Sequence, residues 1–205
     1  MSTRSEYLDL LVAKHDAGRK TSEHAWVTAS KHGYVDALEW LDAQKVPRDR
    51  WACHTAVENG NMDALQWLLD NDATFNGNEC ETAVRLGHVK MLTLLLKHRA
   101  PCNGNEGRVA VENGRSAMLS MLPPDVLKWD GKEMEVAARL GHVAVLRVLR
   151  SMGRPWSGGE RAAAEGNPDV LECLTKLKYT WSGRESQASV ERARVHATLL
   201  ASGLE

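Results

Sequence analysis

Glycine recurs at positions 33, 60, 87, 114 and 141, each 27 residues after the last, and again at 166 after 25. A fixed period of that length means stacked copies of one supersecondary unit, because so short a unit cannot bury its apolar side alone. Five residues after each of the six glycines stands a leucine (Leu38, Leu65, Leu92, Leu119, Leu146, Leu171), and eight residues after stands another (Leu41, Leu68, Leu95, Leu122, Leu149, Leu174). A spacing of three marks one face of a helix. Apolar residues at +4 and +7 widen that face, so each glycine is followed by a helix that needs neighbours on both sides. Before each glycine a shorter helical pattern shows at −7, −4 and −3, as in Cys53/Ala56/Val57, Cys80/Ala83/Val84 and Met134/Ala137/Ala138. The small residues there permit close approach.

The start of each first helix is marked as well. Eleven residues before the regular glycines stand Ser22, Asp49, Asn76, Asn103 and Asp130, followed by Ser157 in the shortened unit and Ser182 in the terminal segment; all are favoured N-cap residues. In five of these seven the third residue on is Glu, which predicts capping boxes: N-G-N-E at 76 and 103, D-G-K-E at 130, S-G-G-E at 157 and S-G-R-E at 182. Phe75, Trp129, Trp156 and Trp181 precede their caps, where a hydrophobic staple to the fourth helical residue can form; Phe75 with Cys80 and Trp129 with Met134 fit, whereas Gly107 and Arg161 do not. A single Phe against seven Trp suits tryptophan at recurring positions, and Trp40 and Trp67 at +7 are expected to pack between units.

The segments "ETAVRLGHVKMLTLLLKHRA" (81–100) and "EVAARLGHVAVLRVLRSMG" (135–153) resemble ankyrin repeats in their small-small-x-x-Gly-His turn and leucine-rich second helix. The resemblance spans about residues 22–178. It departs from the family in two ways: the usual period is about 33 residues, and the Thr-Pro-x-His start of the first helix is missing. The shortfall falls on the loop and β-hairpin finger between units. Short connections such as "PRDRW" and "RPWSG" are similar to those of the 27-residue ankyrin units abundant in giant DNA viruses and some protists. The expected fold is therefore all-α, an ankyrin-like helical-hairpin solenoid. Its six short repeats would span about 22–48, 49–75, 76–102, 103–129, 130–156 and 157–181, between an N-terminal capping helix in 1–21 and a C-terminal one in 182–205. Residues 5–17 and 183–202 read as those capping helices, since repeat arrays must cover their apolar ends. Pro123-Pro124 should break the second helix of the fourth unit. In the sixth unit two residues are lost between Ser157 and Gly166, from either the first helix or its loop.

Composition limits the function. With 26 basic and 27 acidic residues the formal net charge is −1, which gives no electrostatic reason to expect nucleic acid or an anionic membrane as partner. No apolar run approaches the roughly 18–20 residues of a membrane span. The N-terminus lacks a signal-peptide pattern, and Cys53, Cys80, Cys102 and Cys173 include no C-x-x-C pair, so reduced thiols and an intracellular, cytoplasmic location are expected. Cys53 and Cys80 hold the same place in successive units; stacked helices lie roughly 8–10 Å apart, beyond the approximately 7 Å Cα limit of a disulfide. They read as small core residues. No Ser/His/Asp order, phosphate loop or H-E-x-x-H helix is present, and N-G-N-E recurs too regularly to be one convergent catalytic pocket. No enzyme, cofactor or metal is expected, and His88 and His142 read as turn residues hydrogen-bonding the backbone of a neighbouring loop.

Positions −6 and −2 read His54/Glu58, Glu81/Arg85, Arg108/Glu112 and Glu135/Arg139, i, i+4 pairs whose signs alternate from unit to unit. Such pairs are worth roughly 0.2–0.5 kcal/mol, and a solvated face kept neutral explains them. The family resemblance implies a second reading, in which the two residues before the turn line a binding surface: Lys31, His32, Glu58, Asn59, Arg85, Leu86, Glu112, Asn113, Arg139, Leu140 and Glu165. Leu86 and Leu140 would be apolar anchors among charges. The expected function is a noncatalytic scaffold for an unidentified protein partner, monomeric or weakly self-associating, and the resemblance to giant-virus units implies a viral host-interaction factor in host cytoplasm or virion. A self-associating structural or virion component is the alternative, and an enzyme a remote one.

Overall fold

The computed structural model describes residues 4–178, and among them it contains helices and no strand. The C-terminal capping helix expected over 183–202 lies outside the described residues. The chain divides into two compact units between Glu106 and Gly107.

The first unit holds α1 (Arg4–Asp16) and three hairpins: α2 (His24–His32) with α3 (Val35–Ala43), α4 (Ala52–Glu58) with α5 (Met62–Asp70), and α6 (Glu79–Leu86) with α7 (Val89–Lys97). First helices stack on first helices, α2 on α4 on α6, and second helices on second helices, α3 on α5 on α7. The N-terminal helix joins the second layer by packing on α3. It covers that flank with Leu11, which is buried, while Tyr7 stacks on Tyr34 at 5.5 Å and His15 meets Trp40 edge-on at 5.6 Å. Leu10 on the same helix is exposed, so the apolar stripe is narrower than its sequence suggests.

The second unit continues with α8 (Glu106–Glu112) and α9 (Ser116–Met121), α10 (Glu133–Arg139) and α11 (Val143–Ser151), and α12 (Glu160–Ala163) and α13 (Pro168–Lys176). Here α10 packs on α12, α9 on α11, and α11 on α13. The prolines act as expected: α9 stops at Met121, Leu122 and Pro123 run extended, and a single 3-10 turn, Pro124–Val126, follows. The two residues lost from the sixth hairpin come out of its first helix, since α12 is 4 residues long against 7 in α10.

All twelve periodic leucines are buried, as are Cys53, Ala56, Val57, Cys80, Ala83, Val84, Met134, Ala137 and Ala138. Trp26 is fully buried, its Nε1–H donating to the Val46 carbonyl at 3.3 Å, and Trp67 of the next hairpin lies 6.2 Å from it, ring to ring. Trp40 and Trp67 are both half-buried.

The helix starts differ from the expected capping boxes. Asn76 does not cap α6, whose N-cap is Asn78; the Asn76 side chain instead accepts from the Asn78 N–H at 2.8 Å. The left-handed place inside that turn falls to Gly77, at φ +95°. Glu79 is fully buried, and its carboxylate accepts the N–H groups of Asn76 at 2.8 Å and Gly77 at 3.0 Å. Glu106, Glu133 and Glu160 repeat the arrangement on Asn103/Gly104, Asp130/Gly131 and Ser157/Gly158. The glutamate half of these four boxes is as expected, and the cap residue starts a turn two residues ahead of the helix; the fifth box, at 182, lies outside the described residues.

Candidate protein-binding surface

The eleven residues expected at the binding surface stand at the C-terminal ends of the first helices. Lys31 and His32 end α2, Glu58 ends α4 with Asn59 next, and Arg85 and Leu86 end α6, all in the first unit. In the second unit Glu112 ends α8 with Asn113 next, Arg139 ends α10 with Leu140 next, and Glu165 follows α12. Each of the eleven is exposed, Leu86 at 37% and Leu140 at 43%, although Val84 and Ala138 two residues earlier are fully buried. A helix turns about 100° per residue, so the last two positions swing off the packed face. Asn59 and Asn113 bend their amides onto their own helices, donating to the Thr55 and Val109 carbonyls at 2.9 and 2.8 Å.

Two of these ends are held in register by the residue after the next hairpin's turn glycine. Asn61 reaches back to the preceding hairpin, its Nδ2 donating to the carbonyls of Ser30 at 2.9 Å and Lys31 at 2.7 Å. His142 makes the equivalent reach, Nε2 lying 3.2 Å from the Glu112 carbonyl. The His88 ring approaches Gly60. The latch gives the turn glycine a second reason to lack a side chain: a Cβ on Gly114, besides its φ of +67°, would sit 3.0 Å from the His142 ring.

The charge pairs are mostly not made. Of the three opposite-charge i, i+4 pairs, Arg108–Glu112 closes at 2.8 Å. Glu81 turns to Asn103, accepting from its Nδ2 at 2.6 Å, and Glu135 lies against Gly159. Among the described residues no group of three or more His, Cys, Asp or Glu is placed to hold a metal ion. The four cysteines are free thiols. Burial pushes the Cys53 thiol up to about 12, and that of Cys80 is raised by its hydrogen bond with the Cys102 thiol and then by burial, which leaves little thiolate for nucleophilic work.

A groove of about 700 Å³ opens in the first unit between α2, α4 and the chain entering α4. Glu58 lines it, together with Glu23, Val27, Arg50, Trp51 and His54. Trp51 is 44% exposed, with the Arg50 guanidinium over its ring at 5.9 Å and His54 edge-on at 5.5 Å. Trp51 was not among the expected surface residues, yet a signal was there. Nine residues before the turn glycine the other hairpins carry His24, Asn78, Asn105 and Lys132, all polar, so an indole at that place breaks the pattern.

Paired helices turned on a left-handed glycine and latched hairpin to hairpin define a helical-hairpin repeat protein. No family model matches the chain, and no curated protein does. Among solved structures, the crystal structure of the human ASB11 ankyrin repeat domain is similar at a TM-score of 0.62 and 20% identity, over 83% of this chain and 96% of that one. The fold is that of the ankyrin repeats, an all-α helical-hairpin solenoid in a short form. No described helix is long and apolar enough to cross a membrane.

Proposed function

We propose that the protein is a noncatalytic scaffold that binds a protein partner on the exposed ends of its first helices, through Lys31, His32, Glu58, Asn59, Arg85 and Leu86 in the first unit and Glu112, Asn113, Arg139, Leu140 and Glu165 in the second. Stacked helical hairpins serve elsewhere as such binding surfaces. What carries the reading is the exposure of Leu86 and Leu140, which folding does not require and which gives apolar anchors amid charge. The division into a cap over 1–21, six repeats over 22–181 and a closing segment over 182–205 belongs to the same proposal. The 27-residue unit is in the style of giant-virus and protist ankyrin proteins, and on that resemblance we assign the scaffold to a cell interior, as a host-interaction factor in cytoplasm or virion.

Leu86→Ala combined with Leu140→Ala is expected to leave the circular dichroism spectrum and unfolding midpoint near those of the parent while weakening capture of a partner identified by proximity labelling. Undiminished capture by the double variant dismisses this face. Sedimentation at micromolar concentration separates a monomeric scaffold from a self-associating structural or virion component.

A further inference from the structure

The groove beside Trp51 has features that folding does not explain. Acidic residues at helix starts complement the helix dipole, which accounts for Glu23 and for Asp49, whose Oδ1 also accepts the Trp51 N–H at 2.9 Å. Glu58 closes α4, where a carboxylate faces the negative end of the dipole. An exposed indole likewise adds nothing to the core. Three carboxylates, Glu23, Asp49 and Glu58, thus line one groove against two arginines. Arg48 is spent on Asp42 at 2.6 Å and on the Asn71 carbonyl, and Arg50 is held over the Trp51 ring. His54 Nδ1 is closed off from solvent without a hydrogen-bond partner. The groove therefore offers surplus negative charge beside an aromatic face that already draws a guanidinium, and both select the same ligand chemistry.

We propose that this groove takes an arginine or lysine side chain from an extended basic segment of the protein partner, with the Trp51 indole and the Glu23 and Glu58 carboxylates as its recognition groups. The proposal rests on the first-helix face being the binding face and names what part of it binds.

The test uses the full chain labelled with nitrogen-15 and three blocked octapeptides, glycine-serine in sequence except for two central residues that are both Arg, both Gln or both Glu. The readout is the indole N–H resonance of Trp51, assigned by its loss in Trp51→Phe. The arginine peptide is expected to shift that resonance saturably, and its affinity should fall at least about fivefold in Trp51→Ala and in the Glu23→Gln, Glu58→Gln double variant. Both variants alter exposed side chains, so circular dichroism should stay at the parent spectrum. An equal response to the glutamate or glutamine peptide, or none to arginine at millimolar concentration, overturns the proposal. If Leu86→Ala with Leu140→Ala abolishes partner capture while the indole ignores arginine, the groove assignment fails and the face survives. If arginine binds and capture is unaffected, the face as drawn fails and the groove stands.

Discussion

Glu79 carries a carboxylate into a fully buried site because two backbone N–H groups, those of Asn76 and Gly77, meet it there. A buried charge is tolerable when hydrogen bonds replace its hydration. Truncation removes the acceptor and leaves both donors dry, so Glu79→Ala should cost about 1.5–3 kcal/mol, read as a drop in urea midpoint. A loss below about 0.5 kcal/mol would show that water replaces the carboxylate. The opposite sign is expected at Arg99, which is exposed and sits in the left-handed region at φ +55° just after α7. Glycine takes that conformation without a Cβ clash, and Arg99→Gly should raise stability by roughly 0.5–1 kcal/mol in the same measurement. The glutamates were legible from N-G-N-E and its relatives. Their place relative to the helix was not, because the Asn76 side chain can accept from any nearby N–H and only the folded turn settles on Asn78.

At the scale of the element, the periodic leucines show how much a pattern can specify. Eleven of the twelve occupy one stripe of a second helix, Leu122 lies just past the end of α9, and every one is buried. Gly107 shows where a pattern misleads. Its counterparts Cys53, Cys80 and Met134 are buried apolar residues, so repeat logic marks glycine there as a defect to repair. In the structure Leu127 and Trp129 fill the space, and a Cβ on Gly107 would meet Leu127 Cδ2 at 2.8 Å and the Trp129 ring at 3.2 Å. Gly107→Met should therefore destabilise by about 1–3 kcal/mol instead of stabilising. Thermal melts of this variant alone and combined with Trp129→Ala should be non-additive, the cost shrinking once the ring is gone. The proline break after α9 makes this arrangement, since it brings the chain in at Leu127 rather than in a regular second helix.

At the scale of the molecule, a stack of hairpins is only as secure as its ends. In the first unit α1 covers the flank of α3 through Leu11, Tyr7 and His15. Deleting residues 1–17 would bare that flank, with an expected loss of at least about 2 kcal/mol from the unburied side chains. Sedimentation should then show self-association absent from the full chain, and a truncated chain that stays monomeric with an unchanged midpoint would deny α1 a capping role. Much of this architecture was readable in advance. A 27-residue beat of glycine and leucine admits few solutions, because period and apolar stripe together dictate a hairpin that must be covered by copies of itself. The identity of the buried faces and the places of the glycine turns are local matters, set by neighbours within a few residues, and the chain states them directly. Tertiary structure alone decided the rest. It sent Glu81 to Asn103 rather than to Arg85, filled the space at Gly107 with residues twenty positions downstream, and left Trp51 facing a groove. Those outcomes depend on which side chains, from the next hairpin or from the irregular connection after α9, arrive at the same point, and the periodic pattern does not encode that.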